Sequence, residues 1–207
     1  RTISQATGLP LFLGTLGSTI EDGLNTLGKD GFKPGDVIIS NDPYTTGTHL
    51  DDIKLYSPIF FQNELVGFAT TMANHADLGG RAPGTWYPDT TELYQEGVRV
   101  KTLKFYKEGI PNEDVIAFLK QNVRYPDVLM GDARAQVAAC RTGERRVAEI
   151  FGRYGLDNTF EYIDSLMDHH ERLSRLEIGK IPDGNYEAEG TLDNDGVEVD
   201  KPVQLKI

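Results

Sequence analysis

The chain has 207 residues, of which 39% are hydrophobic and 26% charged, a composition ordinary for a globular protein. Its formal net charge of −11 argues against nucleic-acid binding and against docking on anionic lipid, because both partners are themselves negatively charged. No apolar run reaches the ~18 residues that a membrane span needs, and the single cysteine excludes an internal disulfide, so a cytoplasmic protein is expected.

The first half of the chain is predicted to hold one helix and several short strands. Thr15 to Leu27 carries an apolar stripe at helical spacing, although glycines within it weaken the pattern. Val37 to Ser40 is typical of a short buried strand. Leu55 to Phe61 and Leu65 to Thr71 flank a polar turn, so we expect these two segments to pair as a β-hairpin.

Polar segments lie at the two outer ends of this hairpin. His49 to Asp52 precedes its first strand, and Asn74 to Asp77 follows its second. Because paired strands bring their outer ends together, the layout favours a joint site. Imidazole and carboxylate ligands in combination suit zinc, manganese or iron. The same layout also fits structural residues held by hydrogen bonds, and spacing alone leaves both interpretations open.

A long loop over residues 78–97 is rich in glycine, proline and polar residues. Loops of this length are usually functional or disordered, and Trp86 and Tyr87 favour an ordered one. Glu92 and Glu96 are four residues apart, so they either orient ligands of a site or form a solvated face. Arg99 either meets a substrate anion or balances those acids.

The second half of the chain is predicted to be helical. Apolar residues recur at helical spacing over 113–123, 132–154 and 156–178. Cys140 lies among helix-forming residues, so a buried structural thiol is expected. His170 falls on the apolar stripe of the last helix, which favours a packed histidine over a metal ligand.

Strands that precede helices in the chain predict an α+β fold, with a mixed or antiparallel sheet in the first half and long packed helices in the second. Helices give way to strands near residue 180, so we predict one unit over 1–180 and the start of a β-rich region over 181–207. The chain begins at Arg1, and residues 203–207 alternate like an unfinished strand, so a longer polypeptide is expected beyond both ends. Phosphate-binding GxxxxGK[ST] and dinucleotide-binding GxGxxG motifs are absent, which argues against ATP or dinucleotide binding by this segment.

Short motifs run in a fixed order through nearly the whole chain. They are Gly35-Asp36, Asn41-Asp42-Pro43-Tyr44, Gly47-Thr48-His49-Leu50 with Asp52-Ile53, His75-Ala76-Asp77-Leu78-Gly79-Gly80, Thr91 to Gly97, and Thr142 to Arg146. In order and spacing they resemble the signature of the hydantoinase B/oxoprolinase family, whose pattern includes GDV, NDPY and GGTHLPDI. The resemblance covers almost the full length of the chain.

This resemblance implies a catalytic subunit of a hetero-oligomer. Its partner would be a hydantoinase A-type ATPase, which binds ATP and activates the substrate by phosphorylation. The reaction implied is hydrolytic opening of a cyclic amide, as in hydantoinases and oxoprolinases. Two alternatives stay open: carboxylation of an activated ketone, as in acetone and acetophenone carboxylases, and a scaffold paralogue that has lost its metal.

The resemblance also implies a divalent transition metal, held by the histidine and aspartate of a THLPD motif and by a histidine of an HHAD motif. His49 and Asp52 match the first two ligands. Asn74 stands where the family has the first histidine of the pair, and His75 matches the second. The third ligand is therefore expected to be either His75 or the weaker amide oxygen of Asn74.

Three acidic residues complete the expected site. By resemblance Asp77 would orient a ligand or take a proton, and Glu92 and Glu96 would support the groups that hold the metal. Thr46 is a further departure, because the family has the first glycine of GGTHL there. Together with Asn74 it makes a specialised or inactive paralogue a real alternative.

Overall fold

The computed structural model of the chain describes residues 1–6, 8, 12–46, 48–85, 87 and 89–207. Trp86, one of the two residues on which the expectation of an ordered loop rested, lies outside these residues, whereas Tyr87 is among them. The helices of the described part are α1 (Leu13–Leu27), α2 (Pro43–Thr46), α3 (Glu113–Gln121), α4 (Pro126–Tyr154) and α5 (Leu156–Ile178). Its strands are β1 (Val37–Ser40), β2 (Asp52–Phe61), β3 (Glu64–Asn74), β4 (Leu103–Lys107), β5 (Ile110–Pro111), β6 (Glu189–Leu192) and β7 (Val203–Lys206).

The first half of the chain forms a five-stranded antiparallel sheet with the strand order β3-β2-β1-β4-β5. The predicted α+β fold is confirmed, and so is the hairpin of β2 and β3. Both hairpin strands extend further than expected, so that Asp52 and Asn74 are themselves paired across the ladder. Strand β4 was not predicted, because only Phe105 of its five residues is fully buried and the apolar alternation is therefore weak.

One face of the sheet packs against α3 and α4. Val37, Ile39, Ile53 and Leu55 contribute to a buried cluster that α4 completes with residues including Met130. These side chains come from alternate positions of β1 and β2, as expected for one face of a pleated strand. The long helix α4 therefore forms the main core with the sheet.

Cys140 lies in this core, as predicted, with 1% of its surface exposed. Burial raises the pKa of its thiol to about 11. Since the thiolate is the reactive form, we expect native protein at pH 8 to react with a disulfide reagent roughly 100-fold more slowly than free cysteine. Timed thiol titration with and without denaturant measures this ratio, and rapid native labelling would contradict the burial.

The opposite face of the sheet packs against α1. Phe32, Ile38 and Tyr56 form a second buried cluster, bordered by apolar residues of α1 such as Leu24. A Cβ atom at Gly23 would lie 2.1 Å from the Tyr56 hydroxyl oxygen. A glycine that weakens the helical pattern is therefore required for α1 to approach the sheet.

Helix α5 occupies the predicted range but is largely exposed. Thr159 is its only fully buried residue among those described, and Phe160 stacks edge-on against Phe151 of α4 at 5.4 Å between ring centroids. The packed position expected for His170 is not found, because residues 168–178 of α5 are all exposed, His170 among them. Strands β6 and β7 pair in a separate two-stranded sheet. No helix in the described ranges has both the length and the apolar character to cross a membrane.

Candidate active site

The register of the hairpin brings the two predicted polar segments to one point. Asp52 opens β2 and pairs with Asn74, the last residue of β3. His49 lies in the loop before β2, with its Nε2 atom 3.6 Å from Asp52 Oδ1. The Asp52 side chain is 2% exposed and the His49 side chain 33% exposed. The group therefore opens towards the surface on the histidine side.

Asn74 joins these two side chains. Its amide nitrogen lies 3.0 Å from His49 Nε2 and 3.0 Å from Asp52 Oδ1. An amide nitrogen can only donate, so it donates to the carboxylate and to an unprotonated Nε2. The lone pairs of His49 Nε2 and Asp52 Oδ1 thus both point at the Asn74 amide nitrogen. A cation bound by His49 and Asp52 would take the same place.

His75 faces away from this group. Successive residues of a strand point to opposite faces, and His75 lies buried against α4. Its Nε2 lies 2.9 Å from Gln136 Oε1, while Gln136 Nε2 donates to the Ile53 carbonyl at 3.0 Å. Gln136 Oε1 therefore accepts a hydrogen bond from the Nε2–H group of His75, so that in the neutral ring Nδ1 carries no proton. Of the two residues proposed as the third ligand, the structure places Asn74 beside His49.

Burial lowers the pKa of His75 below its ordinary value of 6.5, although the Gln136 hydrogen bond opposes this. The unfolded chain then binds the proton more readily than the folded protein, so stability is complete above pH 6.5 and falls as the pH drops below it. We expect His75→Gln to remove a slope of up to about 1.4 kcal/mol per pH unit from the unfolding free energy. Denaturant unfolding between pH 5 and 7 measures the slope. Replacing the exposed His170 by glutamine should leave it unchanged.

His49 and Asp52 supply two ligands for a divalent transition metal, and a third would have to come from the Asn74 amide oxygen. Among the described residues, no three histidine, cysteine, aspartate or glutamate side chains are grouped so that they could hold a metal ion. One imidazole nitrogen and one carboxylate oxygen do converge, and rotation of the Asn74 amide would add its oxygen. Mixed nitrogen and oxygen donors suit zinc, manganese or iron. The residues therefore fit a metal with two strong ligands and one weak one.

Asn41 holds the loops around this group together. Its amide nitrogen donates to the carbonyls of Leu50 and Val98, both at 2.8 Å, and its oxygen accepts from the Val100 amide at 2.6 Å. The residue is buried. One side chain thus fastens the segment that follows His49 to the segment after the long loop.

The buried Asp42 forms an ion pair with the partly exposed Arg99. Arg99 Nε and Nη2 donate to the two carboxylate oxygens at 2.9 and 2.7 Å, and the guanidinium lies 5.1 Å from the centre of the Tyr44 ring. Burial alone would raise the pKa of Asp42, but hydrogen bonds from Arg99 and the Tyr44 amide outweigh it and hold that pKa below its ordinary value. Arg99 therefore forms its ion pair with Asp42. The interpretation that it balances the charges of Glu92 and Glu96 is not supported.

Lys54 lies fully buried behind the loop that carries His49. Its ammonium donates to the hydroxyls of Thr46 and Thr48 and to the Asp52 carbonyl. Burial lowers the pKa of Lys54 to about 8, while the charges of Asp52 and Asp42 oppose this effect. Thr46, where the family has glycine, supplies one of the hydroxyls that satisfy this ammonium. Sequence reasoning missed Lys54, because a lysine in a strand is usually exposed.

Asp51 is a second residue that sequence reasoning missed. It replaces the proline of the THLPD pattern and is fully buried. Its Oδ2 accepts from the Thr85 hydroxyl at 3.2 Å, while Oδ1 has no hydrogen-bond partner among the described residues. Burial raises the pKa of this carboxyl to about 6, although Thr85 and the charge of His49 oppose the rise. The carboxyl can therefore hold a proton close to neutral pH.

Asp77 ties the segment after β3 to the start of α4. Its oxygens accept from the Arg124 guanidinium at 2.7 Å, from the Arg124 amide, and from the Gly79 amide at 3.2 Å. Arg124 also donates to the carbonyls of Gly79 and Gly80. Both carboxylate oxygens of Asp77 are thus engaged in holding the loop.

The segments containing Gly80 and Gly97 lie against each other. A Cβ on Gly80 would come within 2.5 Å of the Gln95 carbonyl oxygen, and φ there is +68°. Glu92 and Gln95 cap the short turn before Glu96 by reciprocal side-chain to backbone hydrogen bonds. The structure thus places the Glu92 carboxylate in a cap, and Glu96 half-buried at the end of the same turn.

Comparison with known proteins assigns this arrangement to a family. The family model described as hydantoinase B/oxoprolinase matches residues 1–207. The chain is 42% identical over 166 residues to the B component of a putative D-/L-hydantoinase of Pseudomonas sp. strain NS671, covering 80% of this chain and 28% of that protein. It is 36% identical over 194 residues to the beta component of the caprolactamase of Pseudomonas jessenii, covering 94% of this chain and 33% of that protein. The chain thus spans about a third or less of these relatives.

Two solved structures share the fold. The ATP-dependent caprolactamase from Pseudomonas jessenii superposes with a TM-score of 0.82 at 36% identity, over 92% of this chain and 32% of that one. A nucleotide-free acetone carboxylase gives a TM-score of 0.78 at 24% identity, over 90% of this chain and 25% of that one. The second likeness concerns the fold alone.

Proposed function

This chain belongs to the hydantoinase B/oxoprolinase family, and from that premise we propose that it is part of the B-type component of an ATP-dependent enzyme that hydrolyses cyclic amides. Relatives named as the B component of a hydantoinase and the beta component of a caprolactamase support this reaction class. ATP would be used by a hydantoinase A-type partner, which would deliver a phosphorylated substrate. A cytoplasmic location, a hetero-oligomer and the unit over 1–180 belong to the same proposal.

The observation that carries the proposal is the convergence of His49 Nε2 and Asp52 Oδ1 on the Asn74 amide. In the proposed site His49 and Asp52 hold a divalent transition metal, and Asn74 contributes its oxygen as the weak third ligand. A metal so bound would polarise a carbonyl or phosphoryl oxygen and make a bound water acidic near neutral pH. His75, turned towards Gln136, supports the strand end from the other face.

The remaining residues of the site position these groups and carry protons. Asp51 is the group best suited to hold a proton, because its buried carboxyl lies two residues from His49 and is partly protonated near neutral pH. Asp77 orients the loop through Arg124, and Glu92 does so through its cap. Glu96, at the end of that turn, is proposed to support the same loop. In this proposal Asp77, Glu92 and Glu96 therefore position the loop, in place of the catalytic roles expected from the sequence.

Metal titration of the intact protein tests the proposal. We expect His49→Ala to weaken zinc or manganese binding about 100-fold or more, because it removes the stronger nitrogen ligand. His170→Ala, which removes an exposed histidine of α5, is the matched control and should bind like the wild type. Equal affinity of His49→Ala and wild type would reject the assignment. With the partner and ATP present, a product that depends on bicarbonate would indicate ketone carboxylation instead.

A further inference from the structure

A phosphorylated substrate, which follows from the proposed function, needs a cation near the site. The buried carboxylates of Asp42, Asp51, Asp52 and Asp77 surround the loops of the site. Asp42 and Asp77 are each paired with an arginine, so an incoming phosphoryl group would need a positive charge that faces outwards from one of these pairs. The identity of that cation therefore rests on the proposed function.

Most cations near the site are already enclosed or engaged. Lys54 is fully buried. Arg124 donates to Asp77 and to two loop carbonyls. The Lys101 ammonium lies 3.3 Å from a carboxylate oxygen of α1. Arg99 is about as exposed (41%) as Arg124 (39%) and Lys101 (50%). Its Nε and Nη2 both bond Asp42, and its Nη1 makes no hydrogen bond within the described part of the chain.

Arg99 is held in a fixed orientation. Its partner Asp42 is 1% exposed, so the ion pair is anchored from beneath, and the Tyr44 ring lies against the guanidinium. The hydrogen bond to Asp42 raises the pKa of Arg99, and the nearby phenols of Tyr44 and Tyr94 add to this. These two aromatic side chains are 77% and 81% exposed. A guanidinium fixed at one edge and open at the other is suited to bind a phosphoryl group through several N–H donors.

Arg99 and His49 lie on neighbouring backbone segments. The Asn41 side chain links the carbonyls of Leu50 and Val98, which are chain neighbours of His49 and Arg99. Leu50 is buried, whereas the side chains of His49 and Arg99 both reach the surface. The segment that carries the guanidinium is therefore fastened to the segment that carries His49, and both side chains are accessible to a ligand.

We propose that Arg99, held by Asp42 and flanked by Tyr44 and Tyr94, is the subsite for the phosphoryl group of the activated substrate. A protein surface could use the same tyrosines and arginine, but a buried carboxylate orients this arginine on a segment fastened to the one that carries His49, which favours a small anion. Binding is reversible and needs no bond to form or break. The residues named for the subsite all lie in this chain, so phosphate binding can be measured without the partner.

Titration of the intact protein with inorganic phosphate, in the presence of a chelator and at matched ionic strength, tests the proposal. We expect Arg99→Gln to bind phosphate about tenfold more weakly than wild type or worse, and Arg99→Lys to fall between, since lysine cannot keep both bonds to Asp42. Arg146→Gln, which removes an exposed arginine of α4, should bind like the wild type. Equal binding by Arg99→Gln and wild type would overturn the proposal, as would the lack of saturable binding by the wild type.

Arg99→Gln leaves Asp42 buried without its cation, so loss of binding in this variant could reflect local unfolding. The double variant Asp42→Asn/Arg99→Gln removes both charges and retains an asparagine that can accept from the Tyr44 amide. It should fold and should also lose phosphate binding; a folded double variant that binds phosphate normally would overturn the subsite. Because chelator removes metal from these titrations, their failure is distinguishable from failure of the His49 metal experiment.

Discussion

Asn74→His is expected to raise the affinity of the protein for zinc or manganese by roughly tenfold or more, which corresponds to about 1.4 kcal/mol. Asn74 is exposed at the end of β3, and its amide lies 3.0 Å from both His49 Nε2 and Asp52 Oδ1. An imidazole there would supply a second strong nitrogen ligand in place of a weak amide oxygen. Isothermal titration of wild type and variant compares the two affinities.

A control separates the effect of position 74 from that of an added histidine. Glu64→His places a new imidazole at the exposed opposite end of β3, and its metal affinity should match that of the wild type. If Asn74→His bound metal no better than the wild type, the two lone pairs would not mark a cation site. The same result would favour the interpretation as a scaffold without a metal.

Asn41→Asp is expected to destabilise the protein by roughly 2–5 kcal/mol. The substitution replaces one amide nitrogen by an oxygen and changes little in shape. Both donors to the Leu50 and Val98 carbonyls are lost, and a buried carboxylate then faces two carbonyl oxygens at the former 2.8 Å positions. Thermal unfolding should show a melting temperature lower by roughly 5–15 °C.

Asn122→Asp is the matched control for this change. Asn122 is exposed and donates one hydrogen bond, to the Phe118 carbonyl at 2.7 Å, so its replacement should shift the melting temperature by only a degree or two, corresponding to ~0.5 kcal/mol. A small effect of Asn41→Asp would mean that the loops around His49 are held by other contacts. Metal affinity should fall in the Asn41 variant as well, because the segment that positions His49 loses its anchor.

Local sequence patterns were enough to predict which polar segments lie together at the site. The paired apolar runs of β2 and β3 placed the polar segments at their outer ends together, and the register between Asp52 and Asn74 confirms that juxtaposition. Strand alternation also explains why Asn74 and His75, adjacent in sequence, face opposite sides of the sheet. Metal binding by His49, Asp52 and Asn74 stays a prediction that rests on the chemistry of these side chains.

Long-range packing accounts for what the sequence could not predict. The engagement of Asp77 by Arg124 joins residues 47 positions apart, and the Asp42–Arg99 pair joins residues 57 apart. Lys54 directly precedes the predicted strand, and nothing in the local sequence indicates that the Thr46 and Thr48 hydroxyls surround its ammonium. The stripe on α5 had the spacing of a buried face, but spacing does not reveal whether another element covers it.

The most direct test of the metal proposal is a crystal of the intact protein soaked in manganese or zinc, with diffraction recorded at the absorption edge of that metal. We expect an anomalous peak between His49 and Asp52, about 2.0–2.3 Å from Nε2 and from the carboxylate oxygen, with the Asn74 amide rotated to present its oxygen. An ordered, fully soaked crystal whose anomalous peaks all lie elsewhere, with Asn74 still bridging the two side chains, would contradict it.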